Sequence, residues 1–376
     1  MKIKKSLLSA SILLGTIVGA GIFGIPYVIA KSGVIPGFFY FLILGGAVLL
    51  IHLLFGEIVL RTRETRRLPG YAEKYLGARG KVLITIFTVF GLIGALLVYI
   101  ILAGDFLEII FSFLNLPSFY LSLIFWVFLS FFIFRGIKSI APAQLFMNIM
   151  FFFIIALIFC FAAPNLNIQN FILFDVSHIF LPYGVIMFSL IGWQAIPIIS
   201  ETFKSSDEKK NLKKITVSAI FTAIALYFLF ALIVVGVSGK ATTPEALQGL
   251  LPFLGQKIII LGALFGLFAA ATSFLILGNC LKNTLFYDYK IPKFLSAFIA
   301  CCAPLLLFLI GFRSFIETIG FVGTLVGAVE GIAIILIFKK AKVLGDRKPE
   351  YSLKIPSVLL YFLIIIFIFG AISQVF

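Results

Sequence analysis

From Leu7 to Ala30 the chain carries no charged side chain, and comparable apolar stretches recur to its far end. This recurrence restricts the available folds more than any other feature. About twenty apolar residues is the length of a membrane-spanning helix. In hydrocarbon every backbone N–H and C=O must find its partner within the protein, so spanning segments are helices or closed barrels. Over 376 residues the chain is 62% hydrophobic and only 12% charged, outside the range of a water-soluble domain. The runs are too long for barrel strands. The expected fold class is an all-α polytopic membrane protein, with no segment polar and long enough to fold as a separate soluble domain.

Eleven spans are predicted, at about 6–31, 35–60, 82–114, 118–135, 140–163, 181–203, 214–238, 258–286, 293–311, 314–338 and 355–374. The basic stretch RTRETRRLPGYAEKYLGARGK after Arg61 is expected to hold a short helix on the membrane surface. Pro182 suits the first turn of the sixth span. Thr243 reads as an N-cap with Pro244 opening a short helix between the seventh and eighth spans. The net charge of +15 has a topological explanation. With the N-terminus inside, 26 Lys and Arg fall on the inner face, against 4 outside (Lys31, Lys240, Lys257, Arg313). That bias sets the orientation and calls for no nucleic acid partner. The N-terminus is then cytoplasmic and the C-terminus external, in the cell membrane. Met1–Ala20 does not read as a cleavable signal peptide, because the apolar region continues through Pro26. The four cysteines fall in or beside apolar spans, with neither metal spacing nor a disulfide framework.

Two spans carry residues that a simple membrane helix does not need. GTIVGAGIFGIP, Gly15 to Pro26, lies inside the first, and the interval 19–24 is where that helix is expected to unwind. GWQAIP, Gly192 to Pro197, answers it in the sixth span, with the same five-residue step from glycine to proline. The two spans enter the membrane from opposite faces, with five spans between their starts. Matching interruptions in two halves point to an inverted-repeat transporter and to its site. The halves are 1–164 and 165–340, with 341–376 an appended helix.

The unwound segments supply the candidate chemistry. Amides of Gly21, Ile22 and Phe23, in the run Gly19–Ala20–Gly21–Ile22–Phe23–Gly24, are candidates for a substrate carboxylate. Tyr99 adds a hydroxyl, Gly192 and Trp193 an apolar wall, and Gln194 a further donor and acceptor. Oxygens of Thr272 and Ser273, with the carbonyls of Ala269, Gly19, Ala20 and Phe23, compose a candidate site for a hard cation such as sodium. An intramembrane carboxylate costs at least ~2.5 kcal/mol and is a functional candidate by default. Glu330 is the most isolated and is the candidate proton carrier. Glu201 is a candidate inner gate with Lys4 or Lys5. Glu57 reads as paired with Arg61, and Glu317 with Arg313. Gly323, Gly327 and Gly331 form a packing face.

GTIVGAGIFGIPYVIAKSG, LPGYAEKYLG, LVYIILAGDFL and the Gly-Trp-to-Pro interruption together resemble an amino acid permease of the APC superfamily. The similarity is to its amino acid/auxin permease branch, which includes bacterial aromatic and hydroxy amino acid permeases. The resemblance implies a LeuT-like fold of five plus five inverted helices, discontinuous at helices 1 and 6, plus an eleventh helix. It implies an amino acid bound by its carboxylate at the helix 1 amides and by its amino group at carbonyls of helices 1 and 6. It also implies sodium between helices 1 and 8 in some members and proton coupling in others. The expected function is secondary active transport of amino acids, by cation (H+ or Na+) symport with alternating access. Exchange without an ion, or a channel or sensor role, are the alternatives. No enzyme chemistry and no cofactor are expected.

Overall fold

The computed structural model describes residues 2–135, 141–203 and 205–373. Fifteen α-helices are assigned in order among them, besides short 3-10 turns and a π-helical turn: α1 Lys2–Ile17, α2 Gly21–Ser32, α3 Val34–Arg61, α4 Leu68–Leu76, α5 Ala78–Ile110, α6 Ser118–Arg135, α7 Ala141–Ala162, α8 Leu181–Leu190, α9 Ala195–Thr202, α10 Ser206–Ser238, α11 Leu251–Leu254, α12 Gln256–Asn283, α13 Lys293–Leu309, α14 Phe315–Leu344 and α15 Ser357–Ser373. The described residues form no strands. Seven spans are long and apolar enough to cross a membrane, α8 and α9 together counting as one, and the bent pair α1–α2 makes an eighth. The apolar helices α7, α13 and α15 stand where the remaining predicted spans fall. This is a multi-pass helical membrane protein.

The first interruption is displaced from the predicted interval. Non-helical backbone covers 18–20, and the chain bends there by 47°. Gly21 to Gly24 wind as the first turn of α2, and Pro26 lies within that helix. None of Gly19, Gly21 and Gly24 has a positive φ. They are needed for close approach instead. A Cβ on Gly21 would stand 2.1 Å from Ser189 Oγ and 2.8 Å from Ser189 Cα. One on Gly24 would stand 2.6 Å from Ile319 Cδ1. The second interruption covers 191–194, between α8 and α9. Pro197 is the third residue of α9, where a backbone N–H has no intrahelical acceptor in any case.

Close glycine packing also seats α8 on α14. A Cβ on Gly184 would meet Gly320 O at 2.1 Å, and one on Gly323 would meet Gly184 O at 2.1 Å. Gly327 packs on Met187 and Gly331 on Phe367, as their common face suggests. The short helix after Arg61 is α4, capped at its C-terminus by Gly77 (φ +82°). The TTPEAL stretch is not helical. Thr243 Oγ1 donates to Glu245 Oε1 (2.6 Å) and accepts from Gly249 N (3.3 Å), while Ala246 takes φ +68°. Its hydroxyl closes a turn instead of capping a helix. Arg313 does not pair with Glu317. Its guanidinium donates to Phe308 O and Leu309 O, and lies 4.5 Å from the Phe119 ring centroid. It thereby satisfies the orphan carbonyls at the end of α13.

The segment between α14 and α15 straps across the end of α3. Asp346 N and Arg347 N both donate to Arg61 O, the last carbonyl of α3. Lys74 also bonds the Asp346 carboxylate and holds its pKa below the usual carboxylate range. Fully buried Glu57 accepts from Arg61 Nε (2.8 Å) and Nη2 (2.7 Å), Ser352 Oγ (3.0 Å) and Leu353 N (2.6 Å). The predicted Glu57–Arg61 pair is therefore also the anchor of this strap. Glu57→Gln leaves Arg61 without its counter-charge in a buried setting, and a loss of about 3–5 kcal/mol is expected. A thermal unfolding series in detergent, compared with Glu64→Gln on the surface, checks it.

Candidate functional site

The two interruptions face each other. Besides the Gly21–Ser189 approach, a Cβ on Gly192 would lie 2.4 Å from Ile17 Cγ1. The last residues before each break therefore pack on the residues flanking the other. Helices that stop inside the membrane leave unpaired carbonyls at their ends. Tyr227 of α10 answers both. Its buried hydroxyl lies 2.8 Å from Ile17 O and 3.0 Å from Ser189 O, so one proton is shared between two helix ends. On the amide side, Phe23 N donates to Ala20 O (3.1 Å), Ala195 N to Gly192 O and Ile196 N to Trp193 O (both 3.0 Å). The first-turn amides of Gly21 and Ile22 have no intrahelical acceptor.

A cavity of about 310 Å³ opens beside these breaks. Its deep end is lined by Gly19, Gly21, Tyr99 and Ser189. It continues past Thr88, Gln194 and Glu330 to a mouth at Thr65–Pro69 and Glu201. The walls between are apolar, from Leu92, Ala95, Phe188, Val322 and Val326. A second cavity of about 580 Å³ lies toward the other ends of α2 and α5, and shares no lining residue with the first. It is ringed by Lys31, Asp105, Glu108, Glu245, Arg313 and Glu317. Phe23 sits along α2 between the two, its ring 4.8 Å from that of Phe106 and 6.4 Å from that of Phe230.

Glu330 is 1% exposed yet lines the first cavity. Thr88 Oγ1 donates to its Oε1 at 2.7 Å, and Trp193 Nε1 and Gln194 Nε2 donate to its Oε2 at 2.7 and 3.2 Å. Trp193 is fully buried and is absent from the cavity wall. Its ring N–H goes to the carboxylate, not to unwound backbone. His52 packs behind it, ring centroids 5.5 Å apart, with Nδ1 on Val48 O and Nε2 without a partner.

The predicted substrate residues divide. Gly19, Gly21, Tyr99 and Gln194 line the cavity, whereas Ala20, Ile22, Phe23, Gly24, Gly192 and Trp193 stand behind it. The Tyr99 hydroxyl lies against the Ser273 side chain and the Ala20 backbone, so it joins the first break to α12. Of the predicted cation ligands, Thr272 Oγ1 bonds back to Phe268 O (3.1 Å) and Ala269 O (3.0 Å). Ser273 is engaged by Tyr99, so these oxygens are directed at protein partners in this conformation. Glu201 is exposed at the mouth. The side chains of Lys4 and Lys5, and the neighbouring Lys204, lie outside the described residues. At the same mouth Tyr71 accepts from Arg66 N (3.2 Å), and burial pushes its phenol up to about 12, which keeps it neutral. Tyr227 was missed by the sequence reading. A tyrosine far from any glycine gives no local sign of its partners.

Comparison with known proteins gives two findings. The model of the tryptophan/tyrosine permease family matches residues 2–374. Glutamine transporter 2 of Aliivibrio fischeri is 24% identical over 366 residues, which is 91% of this chain and 89% of the relative.

Tyr227→Phe keeps the ring and deletes only the shared hydroxyl. Leaving two buried carbonyls without their donor is expected to cost about 1–3 kcal/mol. The variant should unfold in detergent at a lower temperature than the parent, and the amides around residues 17–21 and 189–194 should exchange hydrogen faster.

Proposed function

This chain belongs to the tryptophan/tyrosine permease family, and from that premise we propose that it is a secondary transporter, not an enzyme, which moves amino acids across the cell membrane by alternating access. The reading rests on one observation above the others. Two helix interruptions, at 18–20 and 191–194 and held against each other by Tyr227, stand beside a cavity that reaches the surface at Thr65–Pro69. In this reading the first-turn amide of Gly21 at the cavity wall, with that of Ile22 directly behind it, takes the substrate carboxylate, and the Tyr99 hydroxyl stands at the same wall. Carbonyls around residues 18–20 and 191–193 take the ammonium group. Apolar walls from Ala95, Val322 and Val326 receive the side chain. An aromatic substrate fits both those walls and the family's name. The name of the Aliivibrio fischeri relative puts glutamine beside tryptophan and tyrosine as a substrate to test.

The same reading makes the fold LeuT-like, with residues 1–164 and 165–340 as inverted five-helix repeats and 341–376 as an addition. The opposed interruptions in α1–α2 and α8–α9 support it. The excess of Lys and Arg beside the cavity mouth, including Arg66 and Arg67, makes that face cytoplasmic. The conformation described is then inward-open, with Phe23, Phe106 and Phe230 closing the outer side. A cation gradient, H+ or Na+, supplies the driving force. For sodium, the carbonyls of Gly19, Ala20 and Phe23 and the oxygens of Ala269, Thr272 and Ser273 are the candidate ligands, released from their present partners in another conformation.

Purified protein in liposomes should accumulate L-tryptophan, L-tyrosine or L-glutamine under an inward proton or sodium gradient. A folded protein that moves none of the twenty amino acids under either gradient, nor in counterflow, overturns the reading. Gly21→Val drives a side chain into Ser189 and should reduce uptake to background while the protein still inserts. Cys280 lines the cavity near Arg67, whereas Cys301 is buried. A maleimide added from the mouth side should therefore label Cys280, and a transported amino acid should slow that labelling several-fold. Labelling indifferent to substrate would count against alternating access.

A further inference from the structure

We propose that Glu330 carries the coupling proton, and that Trp193 and Gln194 tie its release to the position of the second helix break. The proposal rests on the transport reading above and specifies its ion. Glu330 lies halfway along α14, where a charge is costly and no structural ion pair balances it. Among the described residues no lysine, arginine or histidine pairs with it. Its partners are three donors from two other elements of the structure: Thr88 on α5, and Trp193 and Gln194 in the break between α8 and α9. An indole N–H can only donate, so Oε2 must accept. Trp193 Nε1 and Gln194 Nε2 can only donate, whereas the Thr88 hydroxyl donates to an ionised Oε1 or accepts from a protonated one, so the three partners serve both protonation states and the two fixed donors on Oε2 favour the ionised one.

Two of these donors belong to the interrupted segment itself. If that segment moves relative to α14, both leave together, and only Thr88 remains. The carboxylate is then buried with too few partners, and taking a proton is the least costly outcome. Proton release therefore belongs to the conformation seen here, in which the carboxylate lines a cavity that reaches the mouth. Proton binding belongs to the alternate one. Because the moving segment also lines the proposed substrate site through Gln194, substrate and proton share one conformational equilibrium.

Other titratable groups surround this carboxylate. Tyr99 faces the cavity from α5, Cys280 from α12, Glu201 from α9, and Arg66 and Arg67 from the segment entering α4. His52 of α3 lies behind Trp193, and Tyr71 of α4 stands near Glu201. The helices α2, α8 and α15 bring no titratable side chain to the cavity wall. His52, with Trp193 and Gly192 between it and the cavity, is the neighbour closest to Trp193 whose ordinary titration range overlaps neutrality, and Cys280→Ser removes the cavity thiol that titrates at the alkaline end. His52 is the control for the experiment.

The chain has two tryptophans, so Trp126→Phe leaves Trp193 as the sole indole reporter, hydrogen-bonded to the carboxylate in question. Its fluorescence between pH 5 and 9 should show one proton transition. That transition should vanish with Glu330→Gln, survive His52→Gln, and shift when saturating L-glutamine, which does not fluoresce, is bound. In liposomes holding a pH dye, substrate entry into wild type should carry protons inward. Apparent substrate affinity should change by up to about tenfold per pH unit across the transition, as one linked proton requires. Uptake by wild type with no proton movement overturns the proposal and leaves the transport reading standing. So does a transition that persists in Glu330→Gln or disappears in His52→Gln alone. Absence of any binding or uptake by wild type sinks the transport reading instead. If Glu330→Gln does not fold, the wild-type proton flux and the substrate-induced shift decide alone.

Discussion

A peptide carbonyl at the end of a helix that stops in hydrocarbon must be given a partner by another element, because neither water nor lipid can supply one. In this protein two such ends, Ile17 and Ser189, share a single donor, the Tyr227 hydroxyl. That contact brings the breaks side by side and makes α10 part of the site although it presents no residue to the cavity. It also leaves an asymmetry. The carbonyl ends are answered within the protein, while the amides of Gly21 and Ile22, in the first turn of α2, have no intrahelical acceptor. Glycine at 21 and at 192 makes this approach possible, since a single added carbon at either place meets the opposite chain within 2.5 Å.

Around this crossing the structure distributes rigidity unevenly. The α8–α14 seam is backbone against backbone, through Gly184, Gly320 and Gly323. The strap over α3 is pinned at Glu57 by four hydrogen bonds from three residues. The contacts across the cavity are of another kind. They are an aromatic plug on one side, and on the other a carboxylate held by an indole, an amide and a hydroxyl, each a single hydrogen bond. Differences of this kind let one part of a membrane protein shift while the remainder stays packed. The two carboxylates show the contrast directly. Glu57 is balanced by Arg61 and is structural, whereas Glu330 has neutral donors only and stands at the cavity wall.

The readable parts of the sequence were those in which a residue's role depends on its own helix. Apolar runs located the spans, Pro182 marked the start of α8, the basic loop after Arg61 contained α4, and the spacing of Gly323, Gly327 and Gly331 gave a packing face. Less was legible where a residue could serve two purposes. Glycine permits either unusual backbone or close approach, and at 21 and 24 it serves the latter, so the first break falls at 18–20. Thr243 can cap a helix or close a turn, and Glu245 draws its hydroxyl into a turn. Arg313 sits four residues from an acid, but the unsatisfied end of α13 and the Phe119 ring are nearer and in less water.

By itself, the sequence determined that the chain is a helical membrane protein interrupted in its first and sixth spans, because hydrophobic length and backbone chemistry are properties of contiguous residues. It also singled out Glu330, since an isolated acid in an apolar run is conspicuous without coordinates. Only the tertiary structure decided what that acid touches, which tyrosine closes the helix ends, and that the Trp193 ring N–H meets a carboxylate. Those contacts join residues separated by 38 to 242 positions. At such separations the partner is chosen by how helices cross and by which polar groups are left unsatisfied there, and no local pattern encodes either.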